Sequence, residues 1–272
     1  MDRPLATAVV FHSGSFDYID QPEGGQPLAG QSLQEVTRLT APFGIRMVFA
    51  TLGMYPAPIE HDDHMGALPL AFAEEDVALV LPMNCWGDLW HDKPGTREND
   101  FYADLFFRSG GAAAEWGWRL VAEDGFGDLL GVELPFEPDR NRLALVGLGE
   151  GGRAVGEVLA YGATPAAVVI EGHNDDLDAW SAAQPLVGPG LDRIFKPGDP
   201  PMERAFSSAP TLPPTLWIWS SLDPSLAAGS QDLVLPRLSP QEIVERDDTA
   251  HIAVNADADL AEQAVRFVLD AF

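Results

Sequence analysis

Cysteine is almost missing from this sequence: Cys85 is the single one in 272 residues. One thiol excludes an internal disulfide, so a reducing cytoplasm is the expected setting. Lysine is almost missing too, present at Lys93 and Lys196 alone, and the other basic residues are arginines. With 42 Asp and Glu against 16 Lys and Arg, the formal net charge is −26. Such a field disfavours nucleic acid, anionic membranes and, less strongly, acidic carrier proteins as partners. Few lysines with much Ala, Gly, Pro, Asp and Arg fit a GC-rich bacterial genome; a halophile would be acidic as well. No apolar stretch reaches the roughly 18 to 20 residues needed to cross a bilayer. The start, MDRPLATAVV, has one Arg and no long apolar run before a small-residue cleavage site, so no signal peptide is expected.

What is present reads as a globular chain. Apolar residues make up 46% and charged residues 21%, ordinary values for a folded domain. The length suits one large domain or two small ones, with room for a sizeable core. There is no internal repeat and no low-complexity linker. Strand-like apolar runs recur at 6–12, 45–52, 77–83, 142–148, 166–172 and 215–221, with a weaker one, EIVER, at 242–246. Helix-like patterns lie at 112–121, 152–162 and 257–272. In the last, Leu260, Ala264, Phe267, Val268 and Phe272 fall near one stripe. Nearly continuous apolar strands are expected of a parallel sheet buried on both faces. Their alternation with helices predicts an α/β doubly wound domain. The segments 13–34, 53–67 and 84–100 read as loops.

The densest signal is "FEPDRNRLALVGLGEGGRAV". An apolar run climbs to Val146, meets a glycine cluster and leaves on a helical pattern. This stretch resembles the nucleophile elbow of α/β-hydrolases, a buried strand followed by G-x-S-x-G and a helix. Gly147, Leu148, Gly149, Glu150 and Gly151 occupy the five positions, and Gly149 stands where the family has its serine. "PPTLWIWSSLDP" resembles the strand and turn that carry the family's acid, with Asp223 at the acid position and Ser220 where glycine is usual. "ERDDTAHIAVNADADLAEQAVRFVLDAF" resembles the final strand, the histidine loop and the closing helix, with His251 at the base position. Seventy-four residues separate 149 from 223, and 28 separate 223 from 251. The first spacing leaves little room for a lid. The resemblance covers about residues 135–272 and implies one α/β-hydrolase domain over 1–272. Its central sheet is mostly parallel, with helices on both faces and little or no lid domain.

Other readings compete for the same residues. Gly147, Gly149 and Gly152 also fit G-x-G-x-x-G after a strand, and Glu171 ends the next strand where a dinucleotide fold places its ribose-binding acid. The family's oxyanion hole takes one donor from the backbone N–H after the nucleophile, here Glu150. The second follows an upstream strand. Either 77–83 is that strand, making Cys85 or Trp86 the donor, or 45–52 is, placing the donor near Met54. His173, just past a strand end, is a candidate pocket residue. "EHDDHM" at 60–65 has His61 and His64 with flanking acids, yet no third ligand in the pattern, so no metal is assigned. "EGHNDDLD" at 171–178 is a similar mixture. Cys85 as a displaced nucleophile lacks a neighbour that would lower its pKa.

Three functions fit a site whose serine position is glycine. The retained histidine and aspartate make a general acid/base dyad suited to elimination, epimerisation or cyclisation next to a carbonyl, without an acyl-enzyme. Alternatively, the chain is a serine hydrolase (esterase, thioesterase or peptidase) whose nucleophile has been exchanged for Gly149. A third reading is a non-catalytic ligand-binding protein that keeps the fold. The first two share a small-molecule substrate bearing an ester, thioester, amide or ketone carbonyl, and none implies an organic cofactor.

Overall fold

The computed structural model describes residues 4–12, 38–40, 46–50, 67–83, 114–134, 136–149, 151–173, 212–223, 226, 229–250 and 252–272. They form an eight-stranded sheet. In chain order its strands are β1 (Leu5–His12), β2 (Arg38–Thr40), β3 (Arg46–Ala50), β4 (Ala78–Met83), β5 (Pro138–Leu148), β6 (Ala167–Glu171), β7 (Thr215–Ser220) and β8 (Glu242–Arg246). The spatial order is β2-β3-β4-β1-β5-β6-β7-β8. From β4 to β8 every pairing is parallel. The β2–β3 hairpin extends the sheet antiparallel beyond β4.

Burial on both faces explains why these strands read as unbroken apolar runs. In β1, Ala6, Ala8 and Val10 face one layer while Leu5, Val9 and Phe11 face the other. In β5, Ala144, Val146 and Leu148 alternate with Leu143 and Leu145 in the same way. The first layer is made by α1 (Ala67–Glu74) and the closing helix, α6 (Ala258–Asp270), through Leu68, Phe72, Leu260, Ala264 and Val268. The second holds α2 (114–122), α3 (Phe126–Leu130), α4 (Gly151–Ala160) and α5 (Ser230–Leu238). Asp257 caps α6, its carboxylate accepting from the Leu260 N–H at 3.1 Å, which satisfies one of the first-turn amides that lack an intrahelical partner.

The predicted strands and helices are present within a few residues of their expected limits, including the weak EIVER strand. Three helices were not legible. ALPLAFAE in α1 is apolar on most sides, so it carries no clear helical stripe. Helix α3 is only five residues long. Helix α5 contains Pro236, a residue that ordinarily ends a helical pattern. No helix among the described residues is long and apolar enough to cross a membrane.

The winding places the site. The strand paired to one side of β1 is β4, and to the other side it is β5. The order of the parallel strands therefore reverses between β1 and β5. In open α/β sheets ligands bind outside the carboxyl ends of the strands at such a switch point. The glycines there are demanded by contact. A Cβ on Gly147 would lie 2.7 Å from Gly152 Cα and 2.8 Å from both Gly151 O and Gly152 N. Backbone atoms cannot yield as a side-chain tip can, so Gly147→Ala is expected to destabilise the protein by about 1–3 kcal/mol, the usual cost of overpacking. Chemical denaturation monitored by tryptophan fluorescence measures it.

Candidate functional site

Gly149 forms the turn between β5 and α4, with φ of +57°, in the left-handed region that favours glycine. Its N–H donates to the Glu171 carbonyl at 2.7 Å, and its own carbonyl accepts from Gly152 N–H at 3.0 Å. The turn is thus pinned at once to the end of β6 and to its own helix. Gly152 has a separate reason to be glycine: a Cβ there would lie 2.5 Å from Cγ of His173. Glu150 lies outside the described residues.

His173 follows β6 and is 1% exposed. Its ring packs beneath the first turn of α4 and beside Trp217, with ring centres 6.1 Å apart and planes tilted by 59°. A buried relay fixes this corner: Trp217 Nε1 donates to Gln231 Oε1 at 2.8 Å, and Gln231 Nε2 donates to the His173 carbonyl at 2.9 Å. The histidine therefore sits immediately under the elbow helix.

Asp223 lies three residues beyond β7 and is 5% exposed. Its N–H donates to the Ser220 carbonyl at 3.2 Å, and its carbonyl accepts from Leu226 N–H at 3.2 Å. Ser220, where glycine was expected, has work of its own. Its hydroxyl donates to the Asp248 carbonyl and accepts from Leu222 N–H at 3.2 Å. It thereby bolts the turn carrying Asp223 to the loop that follows β8. His251 lies outside the described residues, but its neighbours Ala250 and Ile252 are described. Ala250 N–H donates to Asp248 Oδ1 at 2.8 Å, and Ala250 O accepts from Arg246 Nη2 at 2.9 Å.

The structure answers the dinucleotide reading through Glu171. That side chain is fully buried, and its carboxylate accepts from Arg246, from Ala253 N–H at 2.8 Å and from Val254 N–H at 3.1 Å. Its carboxylate is turned inward, away from any ribose. The strand beside β5 also differs from both expectations for the second oxyanion donor. It is β1, with His12 level with Leu148. The 77–83 run, as β4, is two strands from β5, and the 45–52 run, as β3, is three away. Cys85, Trp86 and Met54 lie outside the described residues, as do His61 and His64. Among the described residues no group of three or more His, Cys, Asp or Glu could hold a metal ion.

Charge holds the last loop together. The hydrogen bond from Arg246, with that from Ala250 N–H, keeps the Asp248 carboxyl below its ordinary pKa. Burial works against the charge on Arg246. The Asp248 hydrogen bond and the fields of Glu171, Asp248 and Asp223 outweigh it and hold the guanidinium above its usual value.

Two outcomes follow. Ser220→Ala, which removes a hydroxyl at a residue 2% exposed, should cost about 1–3 kcal/mol in denaturant titration by leaving its partners unsatisfied. Because the folded pKa of Asp248 is depressed, its contribution is complete above the unfolded value of about 3.9 and is lost as pH falls below it. Thermal unfolding should therefore separate wild type from Asp248→Asn at pH 7, and the two should converge in acid.

No family model matches the sequence, and no curated protein matches it. Solved structures do. An esterase/lipase from an uncultured bacterium superposes with a TM-score of 0.53 at 15% identity, covering 94% of each chain. A serine-to-alanine variant of an α/β-hydrolase enzyme from the metagenome of Lake Arreo, Spain, gives 0.54 at 12% identity over 98% of this chain and 74% of its own. The Francisella virulence factor BioJ gives 0.56 at 9% identity over 86% of this chain and 84% of its own. The chain also spans 36% of the length of an acylaminoacyl peptidase from Pyrococcus horikoshii and 39% of a puromycin hydrolase. Superposition at this level of identity speaks for architecture alone, and the architecture is the α/β-hydrolase fold.

Proposed function

We propose that this chain is an α/β-hydrolase-fold enzyme that acts on a small carbonyl compound through a His251–Asp223 acid/base dyad, with no serine nucleophile and no acyl-enzyme. The observation that carries this reading is the elbow. Its backbone is that of a turn built to display a side chain, with Gly149 at φ +57° and Gly147 packed against the helix start. Gly149 displays none. Asp223 is buried just past β7, two strands from β5 along the same carboxyl edge, and the loop containing position 251 is fastened to both the acid turn and β6.

In this mechanism the imidazole of His251 takes a proton from the carbon next to the substrate carbonyl. The C–H bonding electrons move into the C–C bond and the carbonyl π pair moves onto oxygen, giving an enolate. The backbone N–H of Glu150 and a donor from the loop after His12 hold that oxyanion. Asp223 orients the imidazole and stabilises the imidazolium. The imidazolium then returns the proton to carbon, on the other face when the enolate has turned over in the site, or a leaving group departs from the β-carbon. The glycine leaves space at the tip for the substrate. The acidic surface favours neutral or cationic substrates over anionic ones.

The second reading, a serine hydrolase whose nucleophile has been exchanged for glycine, draws on the same φ of +57°. A nucleophile elbow holds its residue in strained backbone, and this turn has the left-handed φ that such a residue would adopt.

Solvent deuterium separates the two. Incubated in D2O with a panel of ketones, esters and thioesters, the protein should place deuterium on the carbon next to the carbonyl, as read by proton NMR. His251→Ala should lower that exchange by about 10² to 10⁴, the scale of a positioned acid/base group, while affinity changes far less. No label at carbon from this chain, with acid product released once Gly149→Ser restores the hydroxyl, would support the hydrolase reading. Equal exchange by wild type and His251→Ala would remove the base assignment.

A further inference from the structure

Glu171 is engaged at both ends. Its backbone carbonyl accepts the N–H of Gly149 at 2.7 Å. Its carboxylate, fully buried, accepts from Arg246 Nη1, Ala253 N–H and Val254 N–H. One residue therefore touches both the tip of the elbow and the loop two residues past position 251. Arg246 closes the other side. From the end of β8 it reaches Glu171 and Asp248, and its Nη2 donates to Ala250 O at 2.9 Å. The residues bracketing 251 are thus held at 250 by Arg246 and Asp248, and at 253 and 254 by Glu171.

We infer that Glu171, with Arg246, is a positioning pair that sets the distance from the elbow tip to His251; the inference rests on the base role given to His251 above. The sheet alone does not set it. Position 251 lies five residues beyond β8 and seven before α6, so the strand and helix ends leave the loop free to shift as a unit. A carboxylate is suited to the task. It accepts two amides and a guanidinium at once, and charge-assisted hydrogen bonds are short and directional. Such bonds also gain strength where water is excluded. Arg246 gives Glu171 one N–H, from Nη1, while its Nε and Nη2 grip Asp248 as a fork, a division of donors that a lysine would not reproduce. The ion pair is also what allows a full negative charge at a site with no solvent exposure.

The test uses Glu171→Asp, which keeps the charge but withdraws the carboxylate by one methylene, with Arg246→Lys as a second variant that keeps the opposite charge without the fork. Amide hydrogen exchange followed by NMR reads the latch directly. In both variants the amides of Ala253 and Val254 should exchange about tenfold faster or more, while those of Ala264 and Val268 in α6 keep their wild-type rates, as in a local opening. The NMR titration midpoint of the His251 ring should move. The deuterium-exchange turnover should fall by about 10²-fold, the effect of an ångström-scale misplacement, with KM changed less than about twofold as expected when only transition-state contacts are lost. Unchanged rates at Ala253 and Val254 would overturn the proposal, as would a uniform acceleration that includes α6, since that would make the pair merely structural. Full turnover by His251→Ala would overturn it from the other side, by removing the base. The exchange rates and the turnover fail separately, so the result shows which half is wrong.

Discussion

Glu171, its carboxylate fully buried, ties the turn after β5 to the loop after β8. Its main chain fastens the turn that follows β5, and its side chain fastens the loop that follows β8. Those elements are joined by nothing local: the contacts run from residue 171 to residues 246, 253 and 254. Removing one partner of a buried ion pair leaves an uncompensated charge and typically costs about 3–5 kcal/mol. The site and the stability of the sheet's carboxyl edge are therefore coupled through one side chain. Arg246 extends the coupling to Asp248, and Ser220 carries it on to the turn of Asp223.

This arrangement depends on how the sheet is wound. Parallel strands from β4 to β8 bring their carboxyl ends to one edge, and the order reverses between β1 and β5, the kind of switch point at which open α/β sheets bind ligands. Two apolar layers, built from alternate residues of the same strands, keep that edge rigid. Glycines 147 and 152 let α4 descend close to the sheet, against β5 and His173 respectively. The close approach of the elbow to the sheet is thus set by its flanking glycines as well as by the left-handed residue at its tip.

Much of this was legible in the sequence, for a physical reason. Strands buried on both faces announce themselves as apolar runs, and α6 shows a stripe because one side of it meets solvent. The elbow and the turn of Asp223 were readable because their glycine spacing and strand-turn order are local. Helix α1 was hidden because an apolar helix has no stripe, and α5 because Pro236 interrupts its pattern. On sequence, 45–52 and 77–83 compete as the strand before the second oxyanion donor, and neither pairs with β5. Pairing is a long-range choice, and β1 looked like any other apolar run. Glu171 has a spacing that suits a dinucleotide site, yet its partners lie 75, 82 and 83 residues away. No short motif encodes them. Ser220 read as a departure from pattern, and its bond to Asp248 gives the departure a purpose.

The central claim is that this fold retains a working acid/base dyad around an elbow that lacks only its nucleophile. Its most direct measurement is to install the hydroxyl. Gly149→Ser, checked for folding by circular dichroism, is treated with a fluorophosphonate probe and mapped by mass spectrometry, alone and combined with His251→Ala. The account predicts labelling at position 149 that is lost when His251 is replaced, and none in the unaltered protein, because a serine oxygen becomes nucleophilic only with a base in reach. A folded Gly149→Ser protein that stays unlabelled, or labelling of the unaltered protein at Cys85, would contradict it.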